Sequence, residues 1–471
     1  MLCWQLEAWM LLPPPPEVPL GTNGPRAARF RRFLVLCLCA TLGGLFAARV
    51  AVAAHDPAGP YRKLDVFTHV LSLIENNYVE GVDETRLIYG AIEGMVRTLD
   101  PHSTFMDPKA YAALKQETDG EYGGVGLEVA AKADELVVIA PIDDSPASRA
   151  GLLPGDKLLE VDGMPTRGWK EQEGARALMG PPGTSCTLKI ARSSWREART
   201  FTLVRDVVRV VSVEQKLYDG RYGYVKVKSF QDRTDVYLKK ALDDLRAQAG
   251  GRMEGLVLDL RHNPGGLLEQ AVKVADRFLF DGVIVTTKGR GGRHAEVERA
   301  HAKDTEPNYP VMLLVDGGTA SASEIVAGAL QDHGRAVVIG TPTFGKGSVQ
   351  TVIELEDGSG VKLTIARYYT PSGRSIQEKG IVPDLLVRQR NAAMVDDDLP
   401  RERNLPNHFK GEDAAARVVP ASTTSAPQLP RQPGDPADDQ QLKTALDTLR
   451  TWAVFKATLQ QQGPRAASAA P

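Results

Sequence analysis

Residues 311–350 constrain the fold of this chain more than any other stretch, because they predict a strand, a tight turn and a helix in direct succession. Residues 311–315 are apolar and have the length of a buried strand, and loop-forming residues follow at 316–319. From Ala322 the apolar residues recur at helical spacing, and Gly334 ends the pattern. Ser321 is therefore expected at a strand-to-helix turn, where backbone N–H groups at the positive end of a helix can stabilise an oxyanion.

A second apolar run, at 336–339, leads into a loop in which glycines flank Lys346. A serine hydroxyl is a weak nucleophile until a base accepts its proton. A lysine can be that base only when it is neutral, which burial favours. The pattern thus indicates Ser321 as a nucleophile and Lys346 as its general base. On this stretch alone, an ordinary βαβ connection with a surface serine and lysine explains the sequence equally well.

Length, charge and cysteine content limit the alternatives. The 471 residues can form two or three domains with their own cores. A net charge of -2 gives no reason to expect nucleic acid as a partner. Three of the four cysteines lie in the first 39 residues, so a processed chain keeps only Cys186 and no intrachain disulfide. No cluster has metal-ligand spacing, so neither a metal nor another cofactor is expected.

The N-terminal residues 1–54 indicate export. Arginines at 26–32 precede a mostly apolar segment, 33–54, that ends in small residues suited to cleavage after Ala54. The segment is also long enough to be a membrane anchor. A proline-rich stretch before Arg26 is atypical of a signal peptide and favours a start downstream of Met1. In either case we expect the body of the protein in the periplasm or cell envelope.

The central part of the chain predicts two further units. Apolar residues at helical spacing predict a helical segment over residues 60–118, with Asp83 capping its second helix. Residues 119–206 contain a glycine loop, short strands and the string SPASRAGLLPGD followed by a strand and Asp162-Gly163. This order resembles a circularly permuted PDZ domain. The resemblance implies that a peptide adds as a strand and that its terminal carboxylate meets the loop Gly124, Val125, Gly126 and Leu127.

Alternating strands and helices over residues 207–390 predict an α/β core. Four motifs in this region, LDLRHNPGGLL, GGTASASEIVAGALQDH, GTPTFGKGSVQ and YYTPSGRSIQEKGIVPD, together resemble the carboxy-terminal processing, or tail-specific, proteases. The resemblance covers roughly residues 61–390. It implies an α/β fold with a crotonase-like ββα spiral protease core, an inserted PDZ domain and a helical N-terminal segment.

The resemblance also assigns roles to residues. Ser321 would be the nucleophile, Lys346 the base and Gln350 the residue that orients the lysine. The oxyanion hole would combine the Ala322 N–H with an N–H of Gly265 or Gly266, because glycine allows close approach of the backbone. The implied function is a serine endopeptidase that binds C-terminal tails of protein substrates through its PDZ domain and cleaves them with a Ser-Lys dyad.

Other residues could be read as catalytic. Ser323 lies two positions after Ser321, and Asp332 and His333, or His262, invite a Ser–His–Asp reading. We expect His333 to be a polar residue at a helix C-terminus and Asp332 to be structural. A crotonase-like acyl-CoA enzyme would share the core but would not explain the PDZ-like unit.

One departure from the family pattern concerns activation. Met179 stands where the family often has an arginine proposed to couple peptide binding to the active site. A non-catalytic peptide-binding scaffold with the same fold is therefore the alternative function. The sequence leaves open a homo-oligomer and an activating adaptor.

The C-terminal part is predicted to contain a linker and one helix. Residues 391–437 are rich in Pro, Ala, Asp and Ser without apolar periodicity, which predicts a flexible linker. Residues 438–463 predict a helix capped by Asp438 or Asp439 with one apolar face. That helix could dock or dimerise, or be a solvated amphipathic stub.

Overall fold

The computed structural model describes residues 60–132, 134–293, 295–389, 401–411 and 439–461. The predicted signal peptide or anchor, residues 1–54, lies outside these ranges. Among the described helices, none is both long enough and apolar enough to cross a membrane.

The described ranges contain nine α-helices. In chain order they are α1 (Pro60–Asn77), α2 (Glu84–Arg97), α3 (Pro108–Asp119), α4 (Pro146–Arg149), α5 (Glu171–Leu178), α6 (Thr234–Gln248), α7 (Leu268–Asp276), α8 (Ala322–Asp332) and α9 (Gln440–Gln461).

The strands number nineteen in the same ranges. They are β1 (Thr104–Met106), β2 (Glu121–Gly124), β3 (Leu127–Lys132), β4 (Glu135–Pro141), β5 (Lys157–Val161), β6 (Met164–Pro165), β7 (Ser185–Ala191), β8 (Arg199–Val204), β9 (Asp206–Arg209), β10 (Val213–Tyr218), β11 (Tyr222–Val227), β12 (Gly255–Asp259), β13 (Val283–Gly289), β14 (Glu296–Arg299), β15 (Val311–Val315), β16 (Ala336–Gly340), β17 (Ser348–Glu354), β18 (Gly360–Tyr369) and β19 (Leu385–Leu386).

The described part of the chain divides into two units, one ending at Leu87 and the other beginning at Ile88. In the first unit, α1 covers the first predicted helix. The second predicted helix begins at Glu84, and the Arg86 N–H donates to Asp83 Oδ1 at 3.2 Å, so Asp83 is the cap that the sequence predicts.

A six-stranded sheet of order β10-β11-β12-β15-β16-β19 forms the centre of the second unit, and all its pairs are parallel except β10–β11. Alternate residues of β12 and β15 face opposite sides, as the pleat requires. Leu256 and Leu313 pack with helices α6, α7 and α8, whereas Val257 and Leu314 pack with α9. Both faces are covered, which explains why these strands are continuously apolar.

A second sheet has the order β1-β18-β13-β14, with β17 paired to the other side of β18. Strand β17 of this sheet directly follows the lysine-bearing loop, because it begins at Ser348. Its strands β13, β14 and β17 are not among the elements predicted from the sequence. Their mixed burial pattern gives no continuous apolar run to detect.

The PDZ-like unit has its own apolar core and a sheet of order β3-β4-β5-β7-β8 with β6 beside β5. Strand β3 is an edge strand of this sheet, and helix α5 packs beside it. The two-stranded ribbon of β2 and β9 connects the unit to the core at both ends. The fold thus provides a strand edge next to a helix, as peptide addition requires.

The C-terminal helix α9 docks on the core, so the solvated-stub interpretation is wrong. Leu442, Ala445 and Leu446 are fully buried against the central sheet. The Arg261 guanidinium donates to both carboxylate oxygens of Asp439, at 2.8 and 2.7 Å. Asp439 also accepts from the Leu442 N–H, which makes it the helix cap.

Residues 401–411 lie inside the predicted flexible linker, yet they contact the core. Arg401 donates to the carbonyl oxygens of Pro342 and Thr343, and the Glu402 side chain is fully buried. This part of the linker therefore belongs with the core. Its contacts come from residues far away in the chain, which composition cannot reveal.

Candidate active site

Ser321 lies in the sharp turn between strand β15 and helix α8. Its backbone has φ 58° and ψ −118°, outside the helical and extended regions. Such a conformation costs a non-glycine residue about 1–3 kcal/mol and persists only when its surroundings enforce it. The turn places the half-buried Ser321 at the N-terminus of α8, where the helix dipole favours negative charge.

Glu324 enforces this turn and joins it to the lysine-bearing loop. Its Oε2 accepts hydrogen bonds from the Ser321 N–H at 2.8 Å and from the Lys346 N–H at 2.9 Å. Its Oε1 accepts from the Gly345 N–H at 2.8 Å and from the Thr343 hydroxyl. Burial raises the pKa of Glu324 to about 7, although these four donors lower it. One carboxylate thus fixes the backbones of Ser321 and Lys346 relative to each other.

The side chain of Lys346 lies in an environment that favours its neutral form. Burial, and then the positive charge of Lys362, lower its pKa to about 8, while Glu402, Glu324 and Asp100 act in the opposite direction. A neutral amine of this pKa can accept a proton near physiological pH. Among the described residues, no hydrogen bond joins Lys346 Nζ to Ser321 Oγ, so the direct link that the sequence predicts is absent here.

The glycine motif at residues 264–266 lies against Ser321 and the first residue of α8. A Cβ atom placed on Gly265 would lie 2.9 Å from Ser321 Cβ and 2.9 Å from Ala322 N, so the glycine motif adjoins the serine. The Gly265 N–H donates to Asn263 Oδ1 and is occupied. In the described ranges, the N–H groups of Gly266 and Ala322 have no acceptor. Of the two glycines, Gly266 is thus the one whose N–H has no acceptor within the described ranges.

Tyr368 on β18 also reaches Ser321. Its buried hydroxyl donates to the Lys346 carbonyl oxygen, and the Ser321 side chain beside it acts to lower its pKa. Burial keeps the pKa of Tyr368 well above its usual value, so it stays a neutral donor. Tyr368 therefore fixes the lysine loop through a hydroxyl, next to the carboxylate of Glu324 that binds both Ser321 and Lys346.

Gln350 is expected to orient the lysine, but its side-chain amide donates to other residues. Its Nε2 donates to Ser348 Oγ at 3.0 Å and to Thr364 Oγ1 at 3.2 Å. Thr364 in turn donates to Asp100, one of the carboxylates that favour the charged form of Lys346. Within the described residues, Gln350 is connected to the surroundings of Lys346 through Thr364 and Asp100 and through Ser348, two residues after the lysine.

The rival catalytic residues have other partners. Ser323 donates to the Asn263 carbonyl oxygen at 3.0 Å and is buried. His333 caps the C-terminus of α8 and lies 2.7 Å from the Val283 carbonyl oxygen, and Asp332 binds Arg374 and the Ser372 N–H. His262 pairs with Asp316 at 3.0 Å, and this hydrogen bond raises its pKa. None of these contacts forms a Ser–His–Asp triad with Ser321.

The glycine loop of the PDZ-like unit contacts the end of helix α5. The Val125 N–H donates to the Leu178 carbonyl oxygen at 3.3 Å, and Gly124 pairs with Met179 as an isolated bridge. Gly126 has φ +76° and packs against Ser145, where a side chain would clash. Met179 is exposed. The last carbonyl oxygens of α5 accept hydrogen bonds from a different arginine, Arg205, which lies between strands β8 and β9.

Comparison with known proteins identifies the family. Residues 221–387 match the model of peptidase family S41, residues 137–192 match a PDZ domain, and residues 48–110 match the activating protease CtpB N-terminal domain. The carboxy-terminal-processing protease of Bartonella bacilliformis is 40% identical over 405 residues, which are 85% of this chain and 91% of the relative. The chain belongs to the carboxy-terminal-processing proteases of peptidase family S41.

A second curated relative agrees with this assignment. Carboxy-terminal processing protease CtpA of Bacillus subtilis is 35% identical over 324 residues, 69% of this chain and 68% of the relative. The solved photosystem II D1 C-terminal processing protease is 31% identical, covers 68% of this chain and 92% of its own, and gives a TM-score of 0.40. The predicted fold, an S41 peptidase core with a PDZ domain, is confirmed, and so is the prediction of a serine-type peptidase.

Glu324 and Tyr368 are residues of this protease that sequence reasoning missed. Glu324 was detectable, because Ser321 and Glu324 have the S-x-x-E spacing of a capping box just before an apolar helix. Tyr368 had no comparable signal, since only the second sheet brings it to Ser321.

Proposed function

We propose that this chain is an endopeptidase that binds the C-terminal tail of a protein substrate through its PDZ domain and cleaves it with Ser321 and Lys346. The observation that carries this proposal is the shared hydrogen bonding of the Ser321 and Lys346 backbones to one Glu324 oxygen. The backbone of a buried lysine with a lowered pKa is thereby fixed relative to a serine at a helix N-terminus, which suits base-activated nucleophilic catalysis.

The reaction proceeds through an acyl-enzyme. Neutral Lys346 accepts the Ser321 hydroxyl proton as Oγ attacks the substrate carbonyl carbon, and the carbonyl electron pair moves onto oxygen. The N–H groups of Gly266 and Ala322 donate to that oxyanion. When the tetrahedral intermediate collapses, the C–N bond breaks and the protonated lysine gives its proton to the leaving amine. Water, deprotonated by the same lysine, then attacks the ester carbon. The ester C–O bond breaks, the lysine returns its proton to Ser321 Oγ, and the product with the new C-terminal carboxyl group is released.

Tyr368 supports the lysine loop beside the serine: its hydroxyl donates to the Lys346 carbonyl oxygen, and the Ser321 side chain acts on its pKa. In this proposal, rotation of the serine side chain brings Oγ to Lys346 Nζ during catalysis. The absence of a direct Ser–Lys hydrogen bond among the described residues fits this rotation, because catalytic hydrogen bonds are often incomplete before substrate binds.

We expect the substrate to be a protein because of the PDZ domain. Edge strand β3 and helix α5 flank a groove that starts at the loop Gly124, Val125, Gly126 and Leu127. An extended peptide can add to that edge through main-chain hydrogen bonds. Export to the periplasm or cell envelope, a homo-oligomer and an activating adaptor remain part of the proposal, and none of them alters the chemistry above.

Cleavage of an unfolded reporter protein with an apolar C-terminus tests the proposal. Wild-type protein should cut it, and Ser321→Ala and Lys346→Ala should each lower kcat/KM by about 10³-fold or more. Matched controls replace an exposed serine and an exposed lysine, Ser193→Ala and Lys303→Ala, and should leave cleavage unchanged.

Tail binding should be measured separately, by fluorescence anisotropy of a labelled C-terminal peptide. Ser321→Ala should bind the peptide as the wild type does, because the PDZ domain has its own core. Peptide binding without any Ser321-dependent cleavage would instead identify a peptide-binding scaffold. Cleavage that survives either active-site substitution would contradict the proposed dyad.

A further inference from the structure

The segment of residues 401–411 covers the loop that carries Lys346. Arg401 Nη1 donates to the carbonyl oxygens of Pro342 and Thr343 at 2.6 and 2.7 Å. The Glu402 N–H donates to the Phe344 carbonyl oxygen at 3.2 Å. Three consecutive residues that lead to Lys346 are therefore held by two neighbouring residues of this segment.

A chain of hydrogen bonds runs from Glu402 to the other side of Lys346. Glu402 Oε1 accepts from Gln377 Nε2 at 2.9 Å, and Gln377 Oε1 accepts from the Gly347 N–H at 2.8 Å. Gln377 Nε2 also donates to the Phe409 carbonyl oxygen at 2.8 Å. The lysine loop is thus fixed before Lys346 by backbone contacts and after it by Gln377.

Glu402 is a buried carboxylate, and that burial needs a compensating partner. Its side chain has no exposed surface, and its second oxygen lies 2.7 Å from His102 Nε2. An unpaired buried carboxylate would be strongly disfavoured. Its negative charge acts on Lys346, where it favours the ammonium form.

We propose that the 401–411 segment completes the active site and that Glu402 is a positioning residue for the loop that carries Lys346. The inference rests on the proposed role of Lys346 as the base. Glu402 acts in two ways: its Oε1 fixes Gln377 and hence Gly347, and its charge sets the proton affinity of the lysine. It does not touch the reacting atoms.

The charge on Lys346 depends on groups from every element packed around it. These are Lys362 on β18, which opposes protonation, and three carboxylates that favour it: Glu324 on α8, Asp100 in the loop after α2 and Glu402 in the 401–411 segment. His102 faces Glu402, and Arg401 binds the loop itself. Removing the Glu402 charge makes the ammonium form of Lys346 less favourable, so the lysine loses its proton at lower pH.

Glu402→Gln separates the two effects, because it removes the charge and keeps an oxygen that can accept from Gln377. Glu402→Ala removes both. Glu306→Gln is the matched control, since Glu306 is another buried carboxylate but binds Arg246 and Tyr309 and no residue of the lysine loop. Circular dichroism and thermal unfolding establish that each variant is folded.

The decisive measurement is the pH dependence of Lys346 acetylation by acetic anhydride, followed by mass spectrometry in a Ser321→Ala background. With Glu402 present, Lys346 should titrate with an apparent pKa of about 8. Glu402→Gln should lower this pKa of Lys346 by about 0.5–1 pH unit. Glu306→Gln should leave it unchanged. An identical titration in Glu402→Gln and its parent would overturn the inference, even if Glu402→Ala does not fold.

Cleavage kinetics give the second readout. With Ser321 present, Glu402→Gln should shift the acid limb of kcat/KM to lower pH, while Glu402→Ala should lose about 10-fold or more in kcat as Gln377 is released. Full activity of Glu402→Ala would contradict the positioning role. Cleavage that is independent of Ser321 would refute the proposed function alone, because the acetylation experiment does not require catalysis.

Discussion

Replacing Glu324 by glutamine should abolish most of the activity with little change in stability. Each Glu324 oxygen accepts two hydrogen bonds, so whichever becomes the amide nitrogen faces two donors. Two unsatisfied donors reduce the free energy of unfolding by about 2–4 kcal/mol. A second contribution to the free energy of unfolding has the opposite sign, because the variant no longer buries a charge.

The second contribution follows from the pKa of Glu324, which burial raises to about 7 in the folded protein. Because the folded-state pKa lies above the ordinary value, the wild type loses stability as the pH rises from about 4.5 to about 7, by roughly 3 kcal/mol. Glutamine does not ionise and avoids this loss. At pH 8 the two contributions nearly cancel, and the unfolding free energy should change by about 1–2 kcal/mol at most.

Activity should respond much more strongly. Without a shared acceptor, the Ser321 and Lys346 backbones are no longer held at a fixed distance from each other. A displacement of either residue by about 1 Å lowers kcat by about 10²-fold. Urea unfolding at pH 5 and pH 8, together with kcat/KM on an unfolded reporter, measures both effects. Glu324→Asp, which keeps the charge on a shorter side chain, is the control. A kcat/KM for Glu324→Gln within about threefold of the wild type would refute the reasoning.

Three other perturbations test separate parts of the account. The kcat/KM should rise with pH through an apparent pKa of about 8, because Lys346 acts only after losing its proton; a flat profile between pH 6 and about 9 would contradict this. Gly266→Ala should destabilise the protein and lower kcat, since φ is +139° and its Cβ would lie 2.1 Å from the Phe230 carbonyl oxygen; thermal unfolding and kinetics check both. Asp439→Ala should lower the free energy of unfolding by about 2–4 kcal/mol, because it removes a partner of the buried Arg261 guanidinium; unchanged urea unfolding would show that the contact does not hold α9.

The strand–turn–helix around Ser321 could be predicted from the sequence because its determinants are local. The apolar run of Val311–Val315, the loop residues and the helical spacing after Ala322 all act within one short stretch. The structure gives β15 and α8 at the predicted positions, and Gly334 has the left-handed φ of +61° expected after a helix end. Local signals of this kind also located most PDZ strands.

The surroundings of Lys346 could not be predicted, because they depend on contacts between distant parts of the chain. Tyr368 reaches the site through pairing of β17 with β18, and Glu402 reaches it from a segment whose composition resembles a linker. A hydrogen bond from Gln377 to Glu402 leaves no periodic pattern in the sequence. The orientation of Gln350 toward Thr364 likewise depends on β18 and not on its spacing from Lys346.

Labelling of Ser321 tests the central claim, a serine activated by a neutral lysine, most directly. A fluorophosphonate should phosphonylate Ser321, as identified by peptide mass spectrometry, at a rate that rises with pH through an apparent pKa of about 8. Lys346→Ala should lower the rate by about 10²–10⁴-fold, the usual contribution of a general base, while Lys303→Ala should not change it. Labelling at another residue, or an equal rate in Lys346→Ala, would contradict the account.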